Sequence, residues 1–306
     1  MTNNKYTIHP ENTYEHYYKV CREKYFIDHP EHAKLNNNLN NLNIDPNNLF
    51  AIDKLEESIF NLGDEYKSLI SEMALFCKAN LTSRGRNTVC TKHLDGRELS
   101  NISPSFNNMF DKLLSMLMPT IDREFAGSYC RPWYISASRS ILRSELPPDN
   151  GTTWQWHSDM VPQEAFKLFF YLTDVDEDSA PFTYLTDADN RPVYRAGENW
   201  VYIARNGKEH DILNPPRIQQ SRIPIAEINE LKSKGYKEQE VHMPAGSFMV
   251  FSQNYFHKAT IPKKHTRDVL QVQLRPVLKK PESYWFGSNA QTHANENHSF
   301  DWWAYD

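Results

Sequence analysis

Two residues of metal-binding type, His157 and Asp159, stand two positions apart in the chain. On an extended strand, residues at this spacing project to the same face, so an imidazole and a carboxylate can reach one ion. The pair ends the run 154–156 and precedes the run 167–172, which is apolar enough to predict a strand buried on both faces. Taken alone, the pair is as compatible with a core histidine as with a metal ligand.

A second pair with the same spacing, His93 and Asp95, has a different context. It lies in the polar stretch Thr91 to Ser100, and Gly96 and Arg97 follow it directly. No strand pattern flanks it on either side. We therefore interpret this pair as part of an exposed loop and not as a metal site.

A third ligand is predicted at His257, which follows the expected end of the strand Ser247 to Phe251. His265 and His242 are the alternatives. They are less suitable, because His265 lies in a lysine-rich turn and His242 shortly precedes Pro244. Neither of them ends a strand as His257 does.

The resulting set, His157, Asp159 and His257, has a defined chemistry. Two imidazoles and one carboxylate on one face of an octahedral ion leave three positions open, as in non-haem iron(II) oxygenases. The pattern therefore indicates an iron site that also serves as the catalytic centre.

An arginine that could bind a carboxylate follows at Arg267, where the predicted strand Val269 to Leu274 opens. If this strand and the one before His257 are antiparallel neighbours, His257 and Arg267 lie close together. Arg275 is the rival, since it is in phase with Arg267, but it lies about 26 Å further along the strand. We expect Arg267 to be the carboxylate-binding residue.

The elements that must position these residues fall into two parts. Apolar residues recur at three- and four-residue spacings over Tyr14 to Phe26, Leu55 to Lys78 and Phe106 to Phe125, which predicts amphipathic helices within a mainly helical region 1–130. The Asn-rich tract 36–48 is typical of a solvated loop.

From about Tyr129 the chain changes to short strand-like runs separated by Pro, Gly, Asp and Asn. Such a series predicts a β-sandwich or barrel over 131–280, with an insertion at 183–241 that contains one helix at 223–234, and a tail at 281–306. We expect one domain over 1–306. The predicted strands are Trp133 to Arg143, Trp154 to Asp159, Phe166 to Val175, Trp200 to Ala204, Glu240 to Met243, Phe248 to Ser252 and Val269 to Leu274.

The segment from about Tyr134 to Pro276 resembles the phytanoyl-CoA dioxygenase-like branch of the 2-oxoglutarate- and iron(II)-dependent oxygenases. The resemblance rests on an ordered set of motifs and covers nearly half of the chain. These motifs are Leu146-Pro-Pro-Asp-Asn-Gly151, His157-Ser-Asp159, Phe170-Tyr-Leu-Thr-Asp-Val175, Pro244-Ala-Gly-Ser247 leading to His257, and Arg267 leading to Leu274-Arg-Pro276.

The resemblance implies a mainly β chain whose core is a double-stranded β-helix of jelly-roll or cupin-like form, with the helical N-terminal region on its outer face. It implies that Arg267 binds the distal carboxylate of 2-oxoglutarate, and that Phe169 and Leu142 line the cosubstrate pocket. For Phe169 and Leu142, a plain core role is at least as compatible with the sequence. The chain departs from the family at Ser179-Ala180, where Asn-Gly is usual.

The resemblance also implies the reaction, in which Fe(II), 2-oxoglutarate and O2 oxidise an unactivated C–H bond and release succinate and CO2. Hydroxylation, desaturation and oxidative ring closure remain open. We expect a small-molecule substrate, with Arg139, Arg195, Arg205 and Tyr202 as candidates for recognising a carboxylate on it. A hydroxylase of protein side chains and a non-catalytic binding protein are the alternatives.

Composition excludes other classes of partner. The net charge is −5 and the basic residues are scattered, so the basic stripe of a nucleic-acid-binding protein is absent. No stretch approaches the roughly 20 apolar residues that span a bilayer, and residues 1–10 lack the apolar core of a signal peptide. We expect a cytoplasmic protein that binds neither nucleic acid nor membrane.

Overall fold

The computed structural model describes residues 14–35, 63–87, 91–142, 154–159, 166–193, 195, 201–205, 208–212 and 222–285. These residues form a mixed structure of α-helices and antiparallel sheets, in which helices contribute at least as many residues as strands. No helix among them combines the length and the apolar character that crossing a bilayer requires.

Helices form in all three N-terminal segments whose three- and four-residue spacings predicted them, where these segments are described. Two further helices there, Pro30–Leu35 and Gly96–Ile102, were not predicted. The described helices are α1 (Tyr14–Asp28), α2 (Pro30–Leu35), α3 (Gly63–Arg84), α4 (Gly96–Ile102), α5 (Pro104–Ile121) and α6 (Ile225–Ser233). The expected start of the second helix, at 55–62, lies outside the described residues.

The third predicted helix ends close to where the sequence indicated, but its last turn is not α-helical. After α5 the chain forms a single π-helical turn, Asp122–Ala126, and then leaves the helix at Gly127, whose φ is 58°. Glycine adopts this left-handed conformation without steric cost, so it is a suitable residue to end the helical region. The chain enters the first long strand directly afterwards.

The strands form two larger sheets and one hairpin. They are β1 (Arg86–Asn87), β2 (Thr91–Asp95), β3 (Tyr129–Ser140), β4 (Phe166–Tyr171), β5 (Phe182–Thr186), β6 (Val201–Arg205), β7 (Lys208–Ile212), β8 (Lys237–Val241), β9 (Phe248–Ser252), β10 (His257–Ala259) and β11 (Asp268–Val277). The six-stranded sheet has the order β1-β2-β3-β11-β4-β9, the three-stranded sheet has the order β10-β5-β8, and β6 pairs with β7.

The sheet order corrects one expectation. We considered β9 and β11 as antiparallel neighbours, which would bring His257 close to Arg267, but β4 lies between them and pairs with both. His257 instead opens β10, which belongs to the three-stranded sheet. Hydrophobic pattern alone could not exclude the wrong pairing, because β4, β9 and β11 are all apolar enough to be neighbours in either order.

Two further segments differ from the predicted strands. Of the run Trp154 to Asp159, only His157 pairs as an isolated β-bridge, so no strand forms there. The expected insertion 183–241 begins in β5 and ends in β8, and both strands belong to the three-stranded sheet. The insertion therefore starts and ends on neighbouring strands of one sheet, and β6, β7 and α6 lie between them in the chain.

Strand β4 packs against the helices on one face and against the three-stranded sheet on the other. Leu168 and Phe170 face the helices and pack in the cluster that contains Phe110 of α5. Phe169 and Tyr171, which point the other way, pack in a second cluster with residues of β5, β8 and β9. The six-stranded sheet thus has helices on one face and the three-stranded sheet on the other, and the candidate site lies between the sheets.

Candidate metal centre

The backbone brings the first and last candidate ligands together. His157 and His257 exchange both N–H to carbonyl hydrogen bonds, each 2.9 Å long, as an isolated antiparallel pair. Their ring centroids lie 4.2 Å apart, although one hundred positions separate the two residues in the chain. On its other side, His257 pairs with Tyr184 of β5, which fixes its place in the sheet.

Both imidazoles are held in the orientation that suits a metal ligand. Nδ1 of His157 lies 2.8 Å from the carbonyl oxygen of Gln155, and Nδ1 of His257 lies 2.8 Å from that of Tyr255. A carbonyl can only accept, so in the neutral rings each Nδ1 carries the proton and each Nε2 keeps its lone pair. Such a hydrogen bond is the usual support of a metal-binding histidine.

Asp159 completes the set. Its backbone N–H donates to the carbonyl of Gln253 at 2.9 Å, and its Oδ1 lies 3.7 Å from Nε2 of His157. One ligand atom from each of Asp159, His157 and His257 lies within 4.8 Å of the other two. Bonds of about 2.1 Å place neighbouring ligands on an octahedral ion about 3 Å apart, so these atoms must move closer together to hold one ion, by about 0.7 Å in the pair of His157 and Asp159.

The protonation states also suit a cation. Burial, followed by the neighbouring His157, lowers the pKa of His257 to about 3, and burial lowers the pKa of His157 as well. For Asp159, burial alone would raise the pKa, but the charge of Lys167 is among the interactions that outweigh it and hold that pKa well below its usual range. At neutral pH the centre therefore offers two neutral imidazoles and one carboxylate.

Lys167 is a member of this centre that the sequence analysis did not assign. It is 7% exposed, lies on β4, and donates from Nζ to Oδ2 of Asp159 at 2.8 Å. Its ammonium also lies 5.8 Å from the ring centroid of Phe169 and 5.9 Å from that of Phe251. A lysine in a run that is buried on both faces is itself a signal, because buried lysines are almost always paired.

Aromatic rings form an apolar wall beside the imidazoles. Phe182 lies 5.3 Å from the His257 ring and 4.5 Å from the Phe251 ring, measured between centroids. Phe169 packs edge-on against Phe251 at 5.2 Å. The structure therefore places Phe169 in the lining between the sheets, a position that is compatible both with a plain core role and with the expected cosubstrate-pocket role. This wall strengthens electrostatic interactions by excluding water.

Arg267 is buried on the same side of the sheet. Its guanidinium donates to the carbonyl of Ala180 at 2.6 Å and interacts with Tyr171, whose pKa burial raises to about 12 despite that positive charge. Ala180 stands two residues before Phe182, which contacts His257. Arg267 is thus linked to the centre by its contact with the residue two positions before β5, and not by adjacency of β9 and β11.

The register also revises the argument against Arg275. Lys167 pairs with Gln273, so Arg275 lies nearer to Lys167 along the strand direction than Arg267 does. Strand distance therefore favours Arg275 and not Arg267. What favours Arg267 is its contact with Ala180 and Tyr171 on the face that carries Phe169.

Leu142, the second expected pocket residue, is only partly buried. It lies two positions after Ser140, whose backbone N–H donates to the carbonyl of Arg267 at 2.9 Å. Leu142 therefore follows the point at which the end of β3 is bonded to Arg267. Among the described residues, its side chain has no recorded contact with the three candidate ligands.

The four candidates for substrate recognition have different environments in the structure. Arg139 forms a two-pronged ion pair with the buried Asp268, at 2.7 and 2.6 Å, so it ties β3 to β11. Arg195 pairs with Glu227 of α6. The side chains of Tyr202 and Arg205 lie outside the described residues.

The pair His93 and Asp95 is not in an exposed loop, which corrects our interpretation. Both residues belong to β2, which pairs with β3, and Nε2 of His93 lies 3.3 Å from the hydroxyl of Tyr134. The carboxylate of Asp95 caps α4 by accepting from the N–H of Glu98 at 2.9 Å. Asp95 is therefore engaged in a capping box, a structural role that polar sequence context could not distinguish from a loop.

The rival third ligands lie at the surface. His242 is exposed and pairs with Glu240 at 3.1 Å, and His265 is exposed in the turn after β10. The acidic run 174–178 forms a turn in which Asp176 accepts from Ser179 at 2.6 Å and Asp178 pairs with Lys264 at 2.6 Å.

Comparison with known proteins gives distant structural likeness only. No family model matches the chain, and no curated protein matches it. The carbocyclase SnoK from nogalamycin biosynthesis shares 14% identity at a TM-score of 0.46, over 69% of this chain and 79% of that one. The epimerase SnoN, in complex with Fe3+, alpha ketoglutarate and nogalamycin RO, shares 13% at 0.44, over 70% and 77%. EctD from S. alaskensis with bound Fe shares 12% at 0.44, over 72% of each chain.

Proposed function

We propose that this chain is a 2-oxoglutarate- and iron(II)-dependent oxygenase with iron held by His157, Asp159 and His257. The observation that carries the proposal is the convergence of one ligand atom from each residue within 4.8 Å. Two nitrogens and one oxygen on one side of an ion leave the remaining positions for cosubstrate and O2. Lone pairs at both Nε2 atoms, freed by the carbonyl bonds at Nδ1, support it.

The same proposal assigns the fold to the double-stranded β-helix. Two antiparallel sheets face each other across the aromatic cluster, and the His157 segment extends the three-stranded sheet beyond β10. Such an arrangement supports membership in the phytanoyl-CoA dioxygenase-like branch, with one domain over 1–306.

Each buried polar residue of the centre then has a distinct task. Lys167 holds Oδ2 of Asp159, so that Oδ1 is presented to the ion and the carboxylate binds through one oxygen. Arg267, together with the hydroxyl of Tyr171, binds the distal carboxylate of 2-oxoglutarate. Phe169 lies between Lys167 and Tyr171 on the same face of β4 and lines the path between them.

The bound iron supplies oxygen activation, coupled to the conversion of 2-oxoglutarate into succinate and CO2. The protein's part is to fix ligand geometry, to exclude water with Phe182 and Phe251, and to place the target C–H bond at the open side of the ion. Access from that side is supported by Asp159, whose side chain is 24% exposed. The substrate is a small molecule of the cytoplasm, with a carboxylated metabolite as the first class to test.

The experiment begins with full-length protein purified without oxygen and loaded with Fe(II). We expect the protein to bind one equivalent of iron, and this binding to be lost when His157 is replaced. We expect 2-oxoglutarate to bind only when iron is present. On admission of O2, succinate release measured over a metabolite panel should rise with the correct substrate. His242→Ala is the matched control, because His242 is an exposed histidine paired with Glu240.

Two outcomes would replace this assignment. Absence of iron affinity at the His157 centre would favour a non-catalytic binding protein with the same fold. Succinate release that responds to peptides and not to metabolites would favour a protein side-chain hydroxylase.

A further inference from the structure

A second group of metal-binding side chains lies at the corner between α1 and α2. Nδ1 of His29 lies 3.4 Å from Oε1 of Glu31, and Nε2 of His32 lies 3.5 Å from the same oxygen. The three ligand atoms are within 4.8 Å of one another. This group has the same donor types as the His157 centre, but it belongs to the helical part of the chain.

The hydroxyl of Tyr129 determines which nitrogen of His29 is free. It donates to Oδ2 of Asp28 at 3.2 Å, and it also lies 3.1 Å from Nε2 of His29. Because its single proton is directed to Asp28, the hydroxyl accepts from Nε2 of the imidazole. Nδ1 of neutral His29 therefore presents a lone pair towards the carboxylate of Glu31.

Two acceptors facing each other repel unless a cation or a proton lies between them. Both nitrogen to oxygen separations are longer than the 2.7–2.9 Å of a charge-assisted hydrogen bond, so a proton would bridge either pair only weakly. Two ligands of a tetrahedral zinc ion with bonds of about 2.05 Å lie about 3.3 Å apart, which is close to both separations. The spacing thus fits a bound Zn²⁺ better than an ion pair.

The imidazoles are supported by rings that are themselves buried. The His29 and His32 rings stack with centroids 5.0 Å apart and planes 16° from parallel. Tyr25, which is 2% exposed, stacks on His32 and bonds its Nδ1 through the hydroxyl at 3.0 Å. Tyrosine hydroxyls therefore contact the outer nitrogen of both histidines, which is the support that metal-binding imidazoles usually have.

We propose that His29, Glu31 and His32 form a structural Zn²⁺ site with one position left for water. Tyr129 opens β3 and packs with Tyr25 and with Val277 at the end of β11. An ion at this corner would fasten α1 and α2 to the two central strands of the six-stranded sheet. The site is independent of the proposed oxygenase reaction.

The test uses full-length protein in which His157→Ala and Asp159→Ala remove the first centre. After treatment with a chelator, calorimetric titration with Zn²⁺ should show one equivalent bound and a rise in Tm. Adding His29→Gln and His32→Gln should abolish both, while the far-ultraviolet circular dichroism without metal stays unchanged. Gln retains a group that can bond the tyrosines but gives no comparable zinc ligand.

The matched control adds Glu240→Gln and His242→Gln to the same background. These changes remove an exposed histidine–glutamate pair at the end of β8. That variant should keep the Zn²⁺ equivalent and the rise in Tm. An equivalent retained after loss of His29 and His32, or lost equally in the control, would overturn the proposal. Anomalous diffraction from Zn²⁺-soaked crystals must place the ion between His29 and His32, and a peak elsewhere would also overturn it.

Discussion

Nζ of Lys167 lies 2.8 Å from Oδ2 of Asp159, while Oδ1 of the same carboxylate faces Nε2 of His157 at 3.7 Å. One oxygen of Asp159 is therefore occupied by an ammonium and the other is directed to the candidate ion. Without metal, Lys167 supplies the positive charge that the carboxylate requires. With metal, the ion shares that task.

Replacing Lys167 by Met should therefore destabilise the metal-free protein more than the iron-loaded protein. Removing one partner of a buried pair costs about 3–5 kcal/mol, and the partial exposure of Asp159 reduces this to about 1–3 kcal/mol. Differential scanning calorimetry with and without Fe(II) should show a larger iron-induced rise in Tm than in wild type. Lys264→Met, which breaks the exposed pair with Asp178, should leave that rise unchanged. An equal or smaller rise in the Lys167 variant would contradict the proposed role.

Replacing His157 by Ala should abolish iron binding at this centre and substrate-dependent succinate release. The protein should still fold, because the helical cluster and the two sheets do not depend on this imidazole. Iron content after gel filtration and succinate measured by mass spectrometry check both points, with His242→Ala as the control. Retained turnover in the His157 variant would refute the metal assignment.

Replacing Arg267 by Ala should raise the concentration of 2-oxoglutarate needed for half-maximal succinate release. Loss of a hydrogen bond to a charged group costs about 1.5–3 kcal/mol, which corresponds to roughly 10- to 150-fold. The same measurement on Arg275→Ala separates the two buried arginines, of which Arg275 is the nearer to Lys167 along the strand. A large effect at Arg275 with none at Arg267 would transfer the role to Arg275.

The metal-free protein should lose stability on acidification. The pKa of His257 is about 3 in the folded state and about 6.5 when exposed, so between these values the unfolded chain binds one more proton. The free energy of unfolding should fall by about 1.4 kcal/mol per pH unit across that window for this group. Urea denaturation from pH 7 to pH 4 measures the slope, and His257→Asn should reduce it. An unchanged slope in that variant would exclude His257 as its source.

Ala180 adopts a φ of 62°, at a position where the resembling family usually has glycine. A left-handed conformation costs a non-glycine residue about 1–2 kcal/mol, partly offset by the greater freedom of glycine in the unfolded chain. Ala180→Gly should therefore raise the free energy of unfolding by about 0.5–1 kcal/mol. The carbonyl that Arg267 bonds would remain, so the 2-oxoglutarate requirement should not change. A loss of stability in urea denaturation would contradict this expectation.

Local pattern anticipated much of the fold and of the site. Helical spacing identified α1 and α5, and the buried run 167–172 identified β4, because both depend on contacts within a few residues. The pattern failed for β10, a strand of three residues that is defined by its partner β5 and not by its own sequence. It also failed for β2, whose polar residues pair with β3.

By itself, the sequence determined which residue types could form an N, N, O set and which strands would be buried, since side-chain chemistry and alternation are local properties. Only the tertiary structure decided that β4 lies between β9 and β11, that Lys167 bonds Asp159, and that His29 and His32 share Glu31. These relationships join distant strands, or depend on which atom of a ring faces which neighbour. They are set by the packing of the whole chain, which no short segment encodes.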